Sequence, residues 1–449
     1  MNANPLVAAT TVRDYHLRPG DPFYRIAIIA GFAVVVIASW QLRVFGGWIH
    51  AAHHYGWLGY VARPGLLWAG MGSLMLAFRT WLWFGYRMPP QATMDDAPNL
   101  SVVIPAFNEG AMVARSIDSV ASANYPPGRL EIFVIDDGSR DDTWQHIQAA
   151  AARHPGLVTA LRFPENRGKR AALEAGFRRA RGEVLVTIDS DSVIDTDTLL
   201  AMAGPFRDPK VGAVAGKVSV YNRADGLIPR MLKVRFALSF DFLRATQSTY
   251  GTVYCCPGAL AGYRASVVRE VLDRWVNQNF LGRRCTFGED RALTNDILNA
   301  GHDCVYQHAA VVHTLVPVRY AKLCKMFLRW DRSYVREEIR FLREIVWKRP
   351  PRARGIALAD VLITNTRYPI GWLTLALLVA MIADHPQVLL RLACAMLLIA
   401  TFNTLYYVRA ERSWDFVYGI AYSFYSTFAL FWVFPYALFT ARKQGWLTR

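Results

Sequence analysis

"EVLVTIDSDS", residues 183–192, decides the fold. A β-rich apolar run stops abruptly at Asp189 and Asp191, as a buried strand does when it delivers carboxylates to the rim of a sheet. Similar runs stand upstream: "LSVVIPAF" at 100–107, "LEIFVIDDGS" at 130–139 and "LVTALRF" at 157–163. Helical spacing fills the intervals at 109–121, 141–153 and 169–181. Strands alternating with helices imply an α/β domain with a mostly parallel sheet and helices on both faces. Ligands of such sheets bind at the carboxyl ends of strands, where Asp136, Asp137, Asp189 and Asp191 fall.

Composition adds a second expectation. The chain has 449 residues, 53% hydrophobic and 13% aromatic, with a formal net charge of +16. Its apolar residues gather at the ends, in runs at 23–42, 66–86, 368–383, 388–408 and 416–440. About 20 apolar residues span a bilayer, so the runs predict transmembrane helices on both sides of the α/β domain. Buried core helices are the plainer alternative. Basic residues such as Arg18, Arg25, Arg87, Arg409 and Arg412 flank these runs, which fits membrane topology better than nucleic-acid binding. The expectation is a multi-pass protein of the inner or plasma membrane, with the lipid bilayer as partner and residues 87–354 in the cytoplasm. Pro435 marks the last run as broken, re-entrant or interfacial. The domains then read as a membrane region at 1–90, a catalytic domain at 91–315, interfacial helices at 316–354 and a second membrane region at 355–449.

The motifs narrow the chemistry. No Gly-x-Gly-x-x-Gly or Walker pattern is present, nor any Cys/His spacing of a zinc site, and six cysteines read as structural thiols. Adjacent carboxylates at Asp189 and Asp191 repel, which favours a divalent cation between them. Mg²⁺ or Mn²⁺ held by one or two carboxylates and substrate phosphates is the usual arrangement. Surface turns also produce Asp-x-Asp.

Six motifs occur in a telling order: "VVIPAFNE" (102–109), "VIDDGS" (134–139), "NRGKRAAL" (166–173), "DSDS" (189–192), "GED" (288–290) and "LRW" (328–330). This order resembles the family 2 inverting glycosyltransferases. With apolar runs at both ends, the chain is similar to the processive branch of hyaluronan synthases and nodulation chitooligosaccharide synthases, and more distantly to cellulose synthases. The resemblance implies a GT-A-like fold and transfer of sugar from a UDP-sugar donor to a growing β-linked polysaccharide, exported through the enzyme's own channel.

By that resemblance, Asp136 and Asp137 bind the uridine, with Glu109 and Lys169 beside the nucleotide; Asp191 is the main metal ligand, supported by Asp189. Asp290 is the general base beside Glu289, Arg329 contacts the donor diphosphate, and Trp330 floors the acceptor sugar. Gly258 lines the acceptor site, and Trp446, Thr448 and Arg449 form a tail folding over the nucleotide. Plainer readings exist: Asp137 and Gly138 as an ordinary turn, Lys169 as a solvated helix residue, Glu289 and Asp290 as helix-terminal acids, the tail as disordered.

Three positions depart from the family pattern. Met326 stands where Gln opens the Gln-x-x-Arg-Trp motif, Ala259 where Pro is usual, and Leu447 replaces a Gly in the tail. Non-processive transfer to a lipid-linked or oligosaccharide acceptor, and a catalytically silent scaffold, are the alternatives. Glucose, N-acetylglucosamine and alternating glucuronate/N-acetylglucosamine remain open as the sugar.

Overall fold

In the computed structural model, which describes residues 20–41, 64–382 and 386–443, the run before Asp189 is a fully buried strand at the centre of a mixed sheet. In chain order the strands are β1 (Leu100–Ala106), β2 (Leu130–Asp136), β3 (Val158–Arg162), β4 (Val184–Ile188), β5 (Ser192–Ile194), β6 (Val211–Val220), β7 (Leu260–Arg264), the short pair β8 (Asn279–Phe280) and β9 (Arg283–Arg284), and β10 (Asp303–Thr314). The large sheet runs β3-β2-β1-β4-β7-β6-β10-β5. β3, β2, β1 and β4 pair in parallel, as do β6 and β10, whereas β7 lies antiparallel to both β4 and β6. Every residue of β1 is buried, which is why these strands read as apolar runs rather than alternating ones. Parallel pairing brings Ala106 opposite Asp136, so the chain leaves β1, β2 and β4 along one rim.

The alternation legible in the sequence covers β1 to β4. β6, β7 and β10 escape it: β6 and β7 carry small residues, as in "AVAG" and "LAGY", and β10 mixes Asp, Gln, His and Thr with Ala and Val. Small residues in β6 and β7 let neighbours approach closely and leave no apolar period to read.

The expected transmembrane helices and multi-pass membrane location need correction. The apolar runs do form helices: Asp21–Gln41, Pro64–Phe84, Pro351–Ile382, Gln387–Glu411, Phe416–Ala429 and Val433–Phe439. Among the described residues, however, no single helix is long and apolar enough to cross a membrane. Charged and polar side chains interrupt the runs, and they pair within the fold. Arg79 Nε donates to Asp360 Oδ1 (2.7 Å), Arg409 Nε to Asp21 Oδ1 (2.8 Å), and Thr80 and Tyr406 share a hydroxyl bond of 2.7 Å. Trp83 is fully buried against Tyr406 and Phe242, and its indole N–H reaches the Asp241 carbonyl. The outer faces leave Ile26, Val34, Leu74 and Trp81 exposed. Phe416–Ala429 and Val433–Phe439 pass the length and composition test only as a pair bent by 49°. The bend precedes Pro435, which lies inside the second helix.

Three helices frame the sheet's functional rim: Lys169–Arg179, Ala265–Val276 and Glu289–Asn299. Trp275 pins them together. It is fully buried, faces Phe177 at 5.9 Å between ring centroids, lies under the Arg170 guanidinium, and donates its indole N–H to the Glu289 carbonyl at 2.8 Å. Trp275→Ala is expected to lower stability by about 3–5 kcal/mol, read as a shift of the denaturant midpoint. Trp275→Phe, which loses mainly the hydrogen bond, should cost about 0.5–1.5 kcal/mol.

Candidate active site

A cavity of about 1220 Å³ opens at the rim formed by β1, β2 and β4, with Asp137, Lys169, Asp189, Asp290, Arg329 and Trp330 in its walls. Each acid there is steadied differently. Asp136 is fully buried at the end of β2, where Oδ1 accepts the Ser139 amide (3.0 Å) and the Arg162 guanidinium stands 3.1 Å from Oδ2. Asp137 accepts the amides of Arg167 (2.7 Å) and Gly168 (2.8 Å), closing the loop before helix Lys169–Arg179. Burial pushes the Asp137 carboxyl up; those two amides oppose the rise and Asp136 adds to it. Gly138 between them has φ +72°, and a Cβ there would stand 2.5 Å from the Glu165 backbone, so the turn demands glycine. Glu109 follows the positive-φ Asn108 and accepts from Ser190 Oγ at 3.0 Å.

Lys169 lies between the two halves of the site. Its Nζ is 2.5 Å from Asp189 Oδ1 and 3.2 Å from Glu289 Oε1. Burial works against the ammonium, but these carboxylates outweigh it and hold Lys169 protonated. Glu289 opens helix Glu289–Asn299; burial pushes its carboxyl up, yet Lys169, Arg329 and Arg170 bring it below the usual range. Asp290 behaves oppositely. Burial and then the Glu289 charge raise it, against Lys169 and the amides of Arg291 and Gly258. Its Oδ1 accepts the Arg291 amide (2.7 Å), and its Oδ2 faces the Gly258 amide (3.3 Å) and the Cys255 thiol (3.7 Å). Burial and Asp290 push that thiol up to about 12, so it is a donor and not a thiolate.

Asp191 lines the cavity and accepts from Thr314 Oγ1 and Ser192 Oγ, each at 3.1 Å. Among the described residues, no group of three His, Cys, Asp or Glu side chains is placed to hold a metal ion. Two acidic side chains after one strand, Asp189 and Asp191, are what the chain offers. That donor set fits an Mg²⁺ or Mn²⁺ ion which completes its shell with substrate phosphate oxygens and water.

Helix Tyr320–Arg340 forms the opposite wall. Arg329 and Trp330 both reach the cavity; Trp330 is 38% exposed and rests edge-on against Phe327 at 5.7 Å. Met326 is largely buried but contributes to the cavity wall alongside Arg329, where it offers apolar surface in place of the amide of a Gln. The structure thus brings Glu109, Asp137, Lys169, Asp189, Asp191, Gly258, Glu289, Asp290, Arg329 and Trp330 to one cavity, with Asp136 directly beneath its floor. Trp446, Thr448 and Arg449 lie outside the described residues. Sequence reading missed Ser190, Thr314 and Asp331. Ser190 sat inside a motif and was passed over, whereas Thr314 ends a strand with no legible signature.

Comparison with known proteins bears on the family and the fold. Residues 101–272 match the family model described as "Glycosyl transferase family 2". An N-acetylglucosaminyltransferase of Rhizobium sp. (strain N33) is 34% identical over 381 residues, covering 81% of this chain and 82% of the relative. That of Rhizobium meliloti (strain 1021) is 34% identical, covering 78% and 82%. Among solved structures, a mannosyltransferase from Pyrobaculum calidifontis in complex with GDP-Man and Mn²⁺ superposes with a TM-score of 0.61 at 23% identity, over 81% of this chain and 99% of that one. That likeness establishes the GT-A-like fold alone. The expected membrane-embedded polymerase with its own export channel is therefore corrected. Among the described residues no single helix is long and apolar enough to cross a membrane, and the relatives are named as N-acetylglucosaminyltransferases.

Gly258 offers a direct probe of the junction. A Cβ there would stand 2.6 Å from Lys169 Nζ and 3.7 Å from Asp189 Oδ1. The lysine is a flexible side chain and can yield, so Gly258→Ala should fold with a melting temperature close to wild type. Displacing Lys169 by about 1 Å should still lower kcat/KM by about 10²-fold.

Proposed function

The chain belongs to glycosyl transferase family 2 and is a nucleotide-sugar-dependent hexosyltransferase, and we propose that it adds one or a few N-acetylglucosamine units from UDP-N-acetylglucosamine to an oligosaccharide or lipid-linked acceptor, with inversion. The observation that carries this reading is the separation of two neighbouring acids in one cavity, with Glu289 held ionised by Lys169 and Asp290 raised beside it. Paired carboxylates driven apart in this way mark an acid/base site. The rhizobial relatives favour the chitooligosaccharide branch over hyaluronan synthases, and their name supplies the donor sugar. Residues 91–315 would form the catalytic domain, with 316–354 carrying the Arg-Trp wall.

In this reading Asp137 and Glu109 receive the uracil and ribose donors at the β1–β2 rim, and the fully buried Asp136 supports them from behind by fixing the Ser139 turn and Arg162. Lys169 and Arg329 face the diphosphate; a guanidinium suits bidentate phosphate contact. Asp189 and Asp191 would hold Mg²⁺ or Mn²⁺, which when bound stabilises charge on the leaving diphosphate. The acceptor stacks on Trp330 and passes Gly258. Asp290 takes the proton from the acceptor hydroxyl as that oxygen bonds the anomeric carbon, and the bond to the UDP oxygen breaks on the opposite face. A single displacement inverts the centre and needs no covalent enzyme intermediate.

Purified protein given UDP-N-acetylglucosamine, Mg²⁺ or Mn²⁺ and a chitin oligosaccharide should release UDP and lengthen the acceptor by one or a few units on mass spectrometry. Long polymer, or no UDP release with either ion, overturns the reading. Asp290→Asn should lower kcat by about 10²–10⁴-fold. Asp290 must be ionised to act, and its value is raised, so kcat/KM should fall with decreasing pH at a higher pH than an ordinary aspartate would give. Glu289→Gln removes the negative neighbour and should move that acid limb to lower pH; an unmoved limb counts against Asp290 as the base.

A further inference from the structure

The cavity continues past Trp330 into a compartment that the donor chemistry does not use. Its walls include Arg79, Tyr254, Asp331, Tyr334, Glu338 and Tyr368. Asp331, Tyr334 and Glu338 are spaced three and seven residues apart on helix Tyr320–Arg340, so they share one helical face. The cations of the compartment are engaged with other groups. Arg79 binds Asp360 at 2.7 Å, and Arg291 stands 3.4 Å from Glu338 while its guanidinium covers the Tyr334 ring. Arg235 lies over the rings of Phe327 and Tyr422. Among the described residues Asp331 has no hydrogen-bond or ion-pair partner.

A half-buried carboxylate in a cavity wall gives up hydration for no bond when it has no partner, and aspartate is a poor residue for the middle of a helix. Both costs stand at the residue next to the aromatic floor of the acceptor site. A carboxylate facing a sugar accepts two hydroxyl donors at once, and aromatic walls such as Tyr254, Tyr334 and Tyr368 suit the apolar faces of sugar rings. We infer that Asp331 is a specificity-determining residue for the acceptor: its carboxylate accepts hydrogen bonds from the hydroxyl or amide donors of a neutral hexosamine unit seated beside Trp330, and its uncompensated charge disfavours an acceptor ending in a uronic acid. This inference rests on the transferase reading above and deepens it to the class of acceptor. Burial pushes the Asp331 carboxyl up to about 6, against the more distant Arg235 and Arg291, so it is largely ionised at neutral pH.

The test compares wild type with Asp331→Asn and Asp331→Ala, using UDP-N-acetylglucosamine and two acceptors, a chitin trisaccharide and a trisaccharide ending in glucuronate. For the chitin acceptor, loss of charge-assisted bonds should raise KM about tenfold or more in both variants, with the donor KM unmoved. The wild-type preference for the neutral acceptor should shrink in both variants. Because the carboxylate has no partner to lose, the melting temperature of Asp331→Asn should equal or exceed that of wild type. An acceptor KM within twofold of wild type overturns the inference. So does a parallel rise in donor and acceptor KM with a lowered melting temperature, which marks a structural role. Wild type that transfers to neither acceptor overturns the proposed acceptor class itself, and this inference with it.

Discussion

Lys169 reconciles a concentration of acids that would otherwise repel one another. Asp136, Asp137, Asp189, Asp191, Glu289 and Asp290 converge on one rim, and like charges about 4 Å apart cost about 4 kcal/mol even at an effective dielectric of 20. The Lys169 ammonium stands between Asp189 and Glu289 and joins the strand that ends in "DSD" to the helix that opens with "ED". Asp137 relies instead on backbone amides, and Asp136 on the Ser139 amide and the Arg162 guanidinium. Asp290 shares in this compensation least, and the Glu289 charge beside it keeps its proton affinity high. One buried cation therefore lowers one carboxylate of the pair while its neighbour stays raised.

The helices outside the domain follow a related rule. Their charged side chains find partners across the fold, as Arg409 does with Asp21 and Lys217 with Asp241 and Glu411. Asp241 also receives the Tyr306 hydroxyl and a His308 ring nitrogen, each at 2.7 Å, so the C-terminal helices are tied to β6 and β10 through one buried acid. Lys217 stays charged because Asp241 and Glu411 outweigh the cost of its burial. These pairings tie the terminal helices to the catalytic domain, whereas composition alone suggested independent spans.

Legibility in the sequence did not follow burial alone. β1, β2 and β4 are buried almost throughout, so their apolar runs and terminal acids were plain, and each acid of the site could be named from its motif. β6, β7 and β10 were not legible, since their place in the sheet rests on pairing with strands that lie far away in sequence. Met326, the departure from the motif, is a largely buried residue that adds apolar surface to the cavity wall. Asp331 gave no signal at all. It belongs to no motif, and its meaning depends on which arginines nearby are already engaged.

What the sequence determined by itself was the order of the strands that carry acids, the family, and the residue types that meet at the rim, because local periodicity and short motifs encode these directly. Only the tertiary structure decided which of those acids shares Lys169, which stands raised beside it, and that the polar residues inside the apolar runs have partners within the fold. Charge compensation is a property of distances between segments remote in the chain. No local pattern of residues contains it.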